Sequence, residues 1–435
     1  MNLFELSLRW NGFPIKEAKA QLKQIQSVPA SEYHSYVEQQ RMKMVHYHLE
    51  RNKFYKNFTK NTPIYSWWDV PVMQKSDLQI PLKERLSEGF AVSNVYVNKT
   101  SGSSGHPFIF AKDKLCHALT WAEIFDRFGW FDLDFHTSLQ ARFYGIPLDT
   151  FGYQKERLKD HLSSRYRFPI FDLSDEKMEQ FLKVFQKKKF DYINGYTSSV
   201  VLFAKFLQKK GIVLTSVCPT LKYCVVTSEM LYESDKNLME TVFGVPVINE
   251  YGASELDLIA FTNKKEEFIV NSETLFVEIL DESNNPLPNG QSGRIVITSL
   301  YNKAHPMIRY DIGDTGILCE TSTFKTPILK KLTGRTNDVA KLPSGKTVPG
   351  LTFYYVTKSV IEDDGNVKEF VIEQHAIDSF KIIYTSEKEL TSLEIEVIKK
   401  ALFKYLESDL KLTFERVAVL DRSHRGKLKQ FVSLL

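Results

Sequence analysis

Between about Val92 and residue 265, short apolar stretches alternate with longer segments of helical period. "FAVSNVYV", "FIFAK", "FDYING", "LKYCVVTSE" and "VPVINEYG" read as strands, and the middle ones as buried strands. "DKLCHALTWAEIFDRFG", with Asp113 at its cap, and "SSVVLFAKFLQKKG" read as helices between them. Parallel strands must be joined by crossovers, usually helices. The rhythm therefore predicts an α/β fold with a mostly parallel sheet and helices on both faces.

The flanking regions differ. Before residue 90 the chain looks helical, with "SEYHSYVEQQRMKMVHYHLERNKFY" behind a Ser and Glu start. After residue 265, "TLFVEIL" and "RIVITSL" flank "DESNNPLPNGQSG", whose Asn-Pro and Asn-Gly steps predict a β-meander. From "LTGRTND" onward, strands "KEFVIEQ", "SFKIIYT" and "LTFERVAVL" accompany one strong helix, "EKELTSLEIEVIKKALFKYLES". That suffices for a small α+β domain. The expected division is thus a large domain over 1–334, with mixed, mostly parallel sheets and a β-rich subdomain, and a small one over 335–435.

Composition narrows the function classes. Lys+Arg 57 against Asp+Glu 53 leaves a net charge of +4, too small to argue for nucleic acid. The runs "KFLQKKG" and "FQKKKF" read as solvated helix faces. Cys116, Cys218, Cys224 and Cys319 lack metal-site or disulfide-framework spacing, which fits a reducing compartment. The N-terminal "MNLFELSLRWNGF" makes a poor signal peptide, and no apolar run approaches a membrane span, so the expected location is cytoplasmic. His46 and His48 are two residues apart on a helix and point to different faces, which argues against a metal pair.

Five segments stand out in fixed order. "NKTSGSSGHPFIF" supplies flexible backbone and hydroxyls suited to wrapping an anion, or simply forms a hairpin tip. It is neither a Walker A motif nor GxGxxG. "NEYGASE" ends a strand; taken alone, it could be a turn with Ser254 and Glu255 capping a helix. "IRYDIGDTG" holds two acids beside a glycine; taken alone, it could be a type I turn, with Arg309 and Asp311 a local ion pair outside catalysis. "GRTND" sits at the domain boundary, and "HRGKLKQ" lies near the end of the chain as printed.

Together and in this order, the segments resemble the adenylate-forming (AMP-binding) superfamily, in the branch of phenylacetate–coenzyme A ligase-like and capsular polysaccharide biosynthesis proteins. The resemblance runs from about Val92 to the last residues. It implies ATP and Mg2+ as cofactors, with coenzyme A as one acceptor option. A small-molecule carboxylate would be activated and passed to a thiol, amine or hydroxyl. It places Thr100, Ser101, Gly102, Ser103, Ser104 and Gly105 at the ATP phosphates, Tyr251 and Gly252 at adenine, and Glu255 at magnesium. Ser228 and Glu229 also fall where the family contacts adenine. Asp314 and Arg335 would take the ribose, Tyr196, Thr197 and Ser198 would face the acid, and Lys427 would enter the site during adenylation. The C-terminal domain would be mobile, with Asn337 in the place of the usual acidic hinge. Phe108 follows Pro107 where many members carry a lysine, and "KLPSGKTVPG" departs from the family's coenzyme A surface.

Overall fold

The computed structural model describes residues 3–60, 63–100, 108–145, 150–170, 173–229, 231–333, 339–349, 367–386, 388–418, 420 and 431–435. The chain divides into two compact units. The first gathers Met1–Ser101, Phe108–Thr137 and Ile248–Gly334; the second contains Ser138–Val247 and Arg335–Leu435.

The first unit opens with helices Leu3–Trp10, Ile15–Ser27 and Ala30–Arg51. Helix Lys114–Gly129 begins where the sequence places it, because the Asp113 carboxylate accepts from the backbone N–H groups of Leu115 and Cys116. Two strand systems follow. Val247–Ala253, Asp257–Thr262 and Phe268–Val270 pair antiparallel in sequence order. Leu275–Leu280, Ser292–Ser299, Tyr310–Leu318 and Leu329–Thr333 form the expected meander. Phe110, Tyr251, Ile259, Ile295, Met307 and Tyr310 join one buried cluster behind these strands.

The second unit holds the parallel sheet. Its strands run Arg165–Pro169, Gln140–Tyr144, Tyr192–Tyr196 and Tyr223–Thr227 across the sheet, all parallel. Helices Asp175–Lys187, Thr197–Lys210 and Glu233–Phe243 supply Phe181, Phe203 and Phe243 to its core. The lysine runs on the first two helices lie outward, where Lys209 meets Asp175 and Lys210 meets Glu179. The same unit contains a sheet ordered Lys411–Arg416, Ser379–Ser386, Val367–Ala376, Phe431–Ser433. Helix Ser392–Tyr405, opened by a Thr391/Glu394 capping box, buries Ile398 and Leu402 in the core of that sheet. The α/β class with a β-rich meander and an α+β segment stands, although parallel pairing outside the second unit's sheets is replaced by antiparallel ladders. Among the described residues, no helix is long and apolar enough to cross a membrane.

One local expectation needs correction, and two alternative readings are not realised. "FAVSNVYV" is a strand only from Tyr96, because Asn94 turns the preceding chain by accepting from the Ala91 N–H. "EYGASE" does not cap a helix; it turns directly into the next antiparallel strand. "YDIGD" is the body of strand Tyr310–Leu318, not a type I turn.

Candidate active site

The soft segment is bracketed by a two-stranded ladder, Tyr96–Lys99 against Ile109–Lys112, with Lys99 opposite Ile109. Thr100 closes it. The Thr100 N–H donates to the Phe108 carbonyl (2.9 Å), and the Phe108 N–H donates to Thr100 Oγ1 (3.0 Å). Lys75 brings its ammonium to 3.5 Å from the same hydroxyl. Ser101, Gly102, Ser103, Ser104 and Gly105 lie outside the described residues.

Strand Tyr310–Leu318 organises the next layer. Tyr310, Ile312 and Asp314 alternate onto its buried face. The Tyr251 hydroxyl donates to Asp314 Oδ2 (2.8 Å), and the Tyr310 hydroxyl donates to Glu255 Oε1 (3.0 Å). The Phe108 ring stacks on Tyr310, with centroids 6.3 Å apart. Thr100 is therefore connected to Glu255 through Phe108 and Tyr310, and Asp314 directly to Tyr251, all within the first unit. Tyr310 was missed by the sequence reading; the period-two spacing of Tyr310 and Asp314 was the available signal. Gly252 has a structural role: a Cβ there would lie 2.6 Å from the Asp257 carbonyl oxygen, so the tight turn back into the neighbouring strand requires its absence.

The alternative of a local Arg309–Asp311 pair is not realised. Asp311 accepts from Arg294 Nη1 (2.6 Å) on the adjacent strand. Arg309, with φ of 45°, turns its guanidinium toward Glu278 (3.4 Å) and donates to the Val70 carbonyl (2.8 Å). Burial raises the Glu278 carboxyl, while Arg309 and the indole N–H of Trp67 act to hold it down. These groups brace the strand.

Glu255 suits a cation bound chiefly by substrate oxygens. Among the described residues, no group of three His, Cys, Asp or Glu side chains could hold a metal alone. Magnesium needs only one or two carboxylates when phosphates supply the rest. A carboxylate has two oxygens, so the bond from Tyr310 leaves acceptor capacity on Glu255.

In the second unit, Tyr196 ends a strand and helix Thr197–Lys210 follows at once. Tyr196 is the N-cap residue and makes no side-chain cap bond; the alternative of Ser199 as the cap is not realised. Thr197 Oγ1 donates to the Glu229 carbonyl (3.2 Å), and Ser228 adopts φ of 70°, so the loop carrying Ser228 and Glu229 meets the start of this helix. The side chain of Ser198, and the whole of Arg335, Asn337 and Lys427, lie outside the described residues.

No family model matches the chain. The fold is that of the adenylate-forming ligases, as the sequence motifs suggested. 2-Hydroxyisobutyryl-CoA ligase, solved with 2-HIB-AMP and CoA in its thioesterification state, superposes with a TM-score of 0.58 at 15% identity, over 94% of this chain and 91% of that one. In sequence, the chain is similar to Protein CapK of Staphylococcus aureus, at 25% identity over 261 residues, 58% of this chain and 54% of that protein. It is also similar to phenylacetate-coenzyme A ligase of Aromatoleum evansii, at 25% over 175 residues, 39% of each chain. The matches span about half or less of the length of these curated relatives.

Proposed function

We propose that the chain is an AMP-forming carboxylate ligase. A carboxylate oxygen attacks the α-phosphorus of ATP, the bond to the β-phosphate breaks, and pyrophosphate leaves. A thiol, amine or hydroxyl then attacks the acyl carbon, losing its proton as AMP departs. The observation that most supports this reading is the direct linkage of Asp314 to Tyr251 and of Glu255 to Tyr310. Asp314 offers two oxygens to the paired ribose hydroxyls, and Tyr251 fixes its orientation. Glu255 would hold Mg2+, which supplies charge neutralisation at the phosphates when bound. Thr100 would anchor Ser101–Gly105, whose backbone N–H groups would face the outer phosphates. Arg335 would contact the ribose, and Ser228 and Glu229 the adenine.

Lys427 would bring a mobile cation between the carboxylate and the α-phosphate, carried by rotation of residues 335–435 about Asn337. Tyr196, Thr197 and Ser198 would face the acid. The resemblance of the motifs to the capsular polysaccharide biosynthesis branch suggests a role in surface polysaccharide assembly, in the cytoplasm where ATP is made. A second reading, coenzyme A thioester formation, draws on the likeness to phenylacetate-coenzyme A ligase. Acid-dependent ATP–pyrophosphate exchange tests the proposal, and acid-dependent coenzyme A consumption separates the two readings. Exchange should vanish in Asp314→Ala and fall steeply in Lys427→Ala. Exchange that survives Asp314→Ala would refute the assignment.

A further inference from the structure

Parallel sheets are ordinarily apolar on both faces. The sheet of the second unit is not. Ala141, Phe143, Phe168 and Ile193 face its core. On the opposite face of two neighbouring strands, Gln140, Arg142 and Tyr144 lie beside Arg165 and Arg167. The register sets Arg142 against Arg167 and Gln140 against Arg165. Like charges directly opposite each other destabilise a ladder, so something must compensate.

Helix Thr150–Leu162 compensates for part of this charge. Arg167 is clamped by Asp160 (2.7 and 3.0 Å), by Glu156 (3.0 Å) and by the Gly145 carbonyl (2.6 Å). Arg165 Nε lies 3.1 Å from the same Asp160 carboxylate. Glu156 is shared with Lys159 (2.6 Å). Among the described residues, three guanidinium groups thus face two carboxylates, one of them partly engaged elsewhere. Burial, with repulsion from Arg142 and Arg167, lowers the Arg165 guanidinium to about 10.

Arg142 carries the excess charge. Its Nη1 donates to Gln140 Oε1 (3.1 Å), a neutral acceptor, and its guanidinium lies 3.9 Å from the Tyr144 ring centre. Its buried Nε finds no acceptor, and no carboxylate lies within ion-pair distance of it, among the described residues. Tyr144 in turn packs on Tyr196, with centroids 4.6 Å apart. Tyr144 and Tyr196 are each the last residue of their strand, at the carboxyl ends where ligands of open α/β sheets bind.

We propose that Arg142, backed by Arg165, is an anion subsite beside Tyr144 and Tyr196, and that the acid activated here carries a second anionic group, a carboxylate or a phosphate. This rests on the adenylation reading, in which Tyr196 faces the acid. In that reading one carboxylate of the acid reacts with ATP, and its other anionic group pairs with Arg142 through charge-assisted hydrogen bonds. Of the four arginines in the region, the other three are otherwise occupied: Arg165 and Arg167 by Asp160, and Arg157 by the Arg167 carbonyl (3.2 Å).

The test is ATP–pyrophosphate exchange with matched acids: phenylacetate against 4-carboxyphenylacetate and 4-phosphonooxyphenylacetate, and butyrate against glutarate. The doubly charged member of at least one pair should give a kcat/KM roughly tenfold or more above its parent, and the carboxylate and phosphate arms identify which anion is used. Arg142→Gln should raise KM for that acid about 10- to 100-fold, and at least tenfold more than for the parent, while Arg142→Lys recovers part of the loss. Parents used as well as charged acids, or a variant that shifts both alike, would overturn the subsite. If no acid supports exchange, the adenylation reading fails, and calorimetric titration with the same acids decides the subsite separately. Binding of a charged acid that Arg142→Gln abolishes upholds it; absent or unchanged binding overturns it.

Discussion

His48 offers a sharp test of the scaffold behind strands Tyr96–Lys99 and Ile109–Lys112. It is fully buried, and burial pushes its imidazole down to about 4 from 6.5. Its neighbours fix the neutral form. His48 Nε2 lies 2.9 Å from the Asn302 carbonyl, which can only accept, so this nitrogen must donate. Asn52 Nδ2 donates to Ser87 Oγ (3.0 Å), which directs the Ser87 proton toward His48 Nδ1 (3.1 Å). A protonated ring would force two donors together. Asn302 in turn donates to the Ala111 carbonyl (2.9 Å) on the hairpin strand. Because the folded value lies below the unfolded one, the unfolded chain binds the extra proton first. Stability is therefore full above the unfolded value and falls as pH drops through 6.5 toward 4. Of the roughly 2.5-unit shift, about 1.5 units take effect between pH 7.5 and 5, which amounts to about 2 kcal/mol. His48→Gln keeps a donor for Asn302 and an acceptor for Ser87 but cannot titrate. Urea unfolding followed by tryptophan fluorescence at both pH values should show the wild type losing about 2 kcal/mol more than the variant. His117, also depressed by burial, remains in both proteins and cancels. Equal losses would refute the burial argument.

Tyr251→Phe should leave Asp314 present but badly oriented, raising KM for ATP about tenfold in exchange assays, as expected for one lost hydrogen bond to a charged group. Gly252→Ala should destabilise by about 1–3 kcal/mol, because the new Cβ meets backbone rather than a yielding side chain; unchanged melting would contradict the 2.6 Å approach to Asp257. Lys75→Ala should weaken ATP binding several-fold, since Lys75 brings a cation to Thr100 while Phe108 occupies the place where related enzymes carry a lysine. Chelating magnesium should weaken ATP binding to the wild type and restoring it should recover the loss, whereas Glu255→Gln should respond little to either, measured by equilibrium binding.

Much of the scaffold was legible because its signals are local. Asp113 caps where a short acid before an apolar helix should, and Thr391 with Glu394 forms the box its spacing permits. The meander followed from "NNPLPNG". Tertiary partners were not legible. Arg309 and Asp311, two residues apart, look like a pair in sequence, yet Asp311 is satisfied by Arg294 from the next strand and Arg309 by Glu278. The same limit hid Tyr310, whose role exists only because another strand brings Glu255 to its hydroxyl. Nothing local in sequence distinguishes Arg142, Arg157, Arg165 and Arg167; helix Thr150–Leu162 does so by the acids it presents.

The two hydroxyl–carboxylate pairs also explain how a strand can read as both core and site. Tyr310 buries its ring between Phe108 and the apolar cluster while its hydroxyl reaches Glu255. Tyr251 does the same toward Asp314. Tyrosine carries a large apolar body and a single polar tip. It can therefore fill the core and still orient a carboxylate at its edge, which phenylalanine cannot do. An acid so held loses little orientational entropy when a ligand arrives, and preorganisation of this kind is what an adenylate-forming site requires, because the reaction is governed by positioning and charge. Replacing either tyrosine with phenylalanine should accordingly spare the fold more than the affinity for nucleotide, a separation that thermal melting and ATP binding measured on one preparation would reveal.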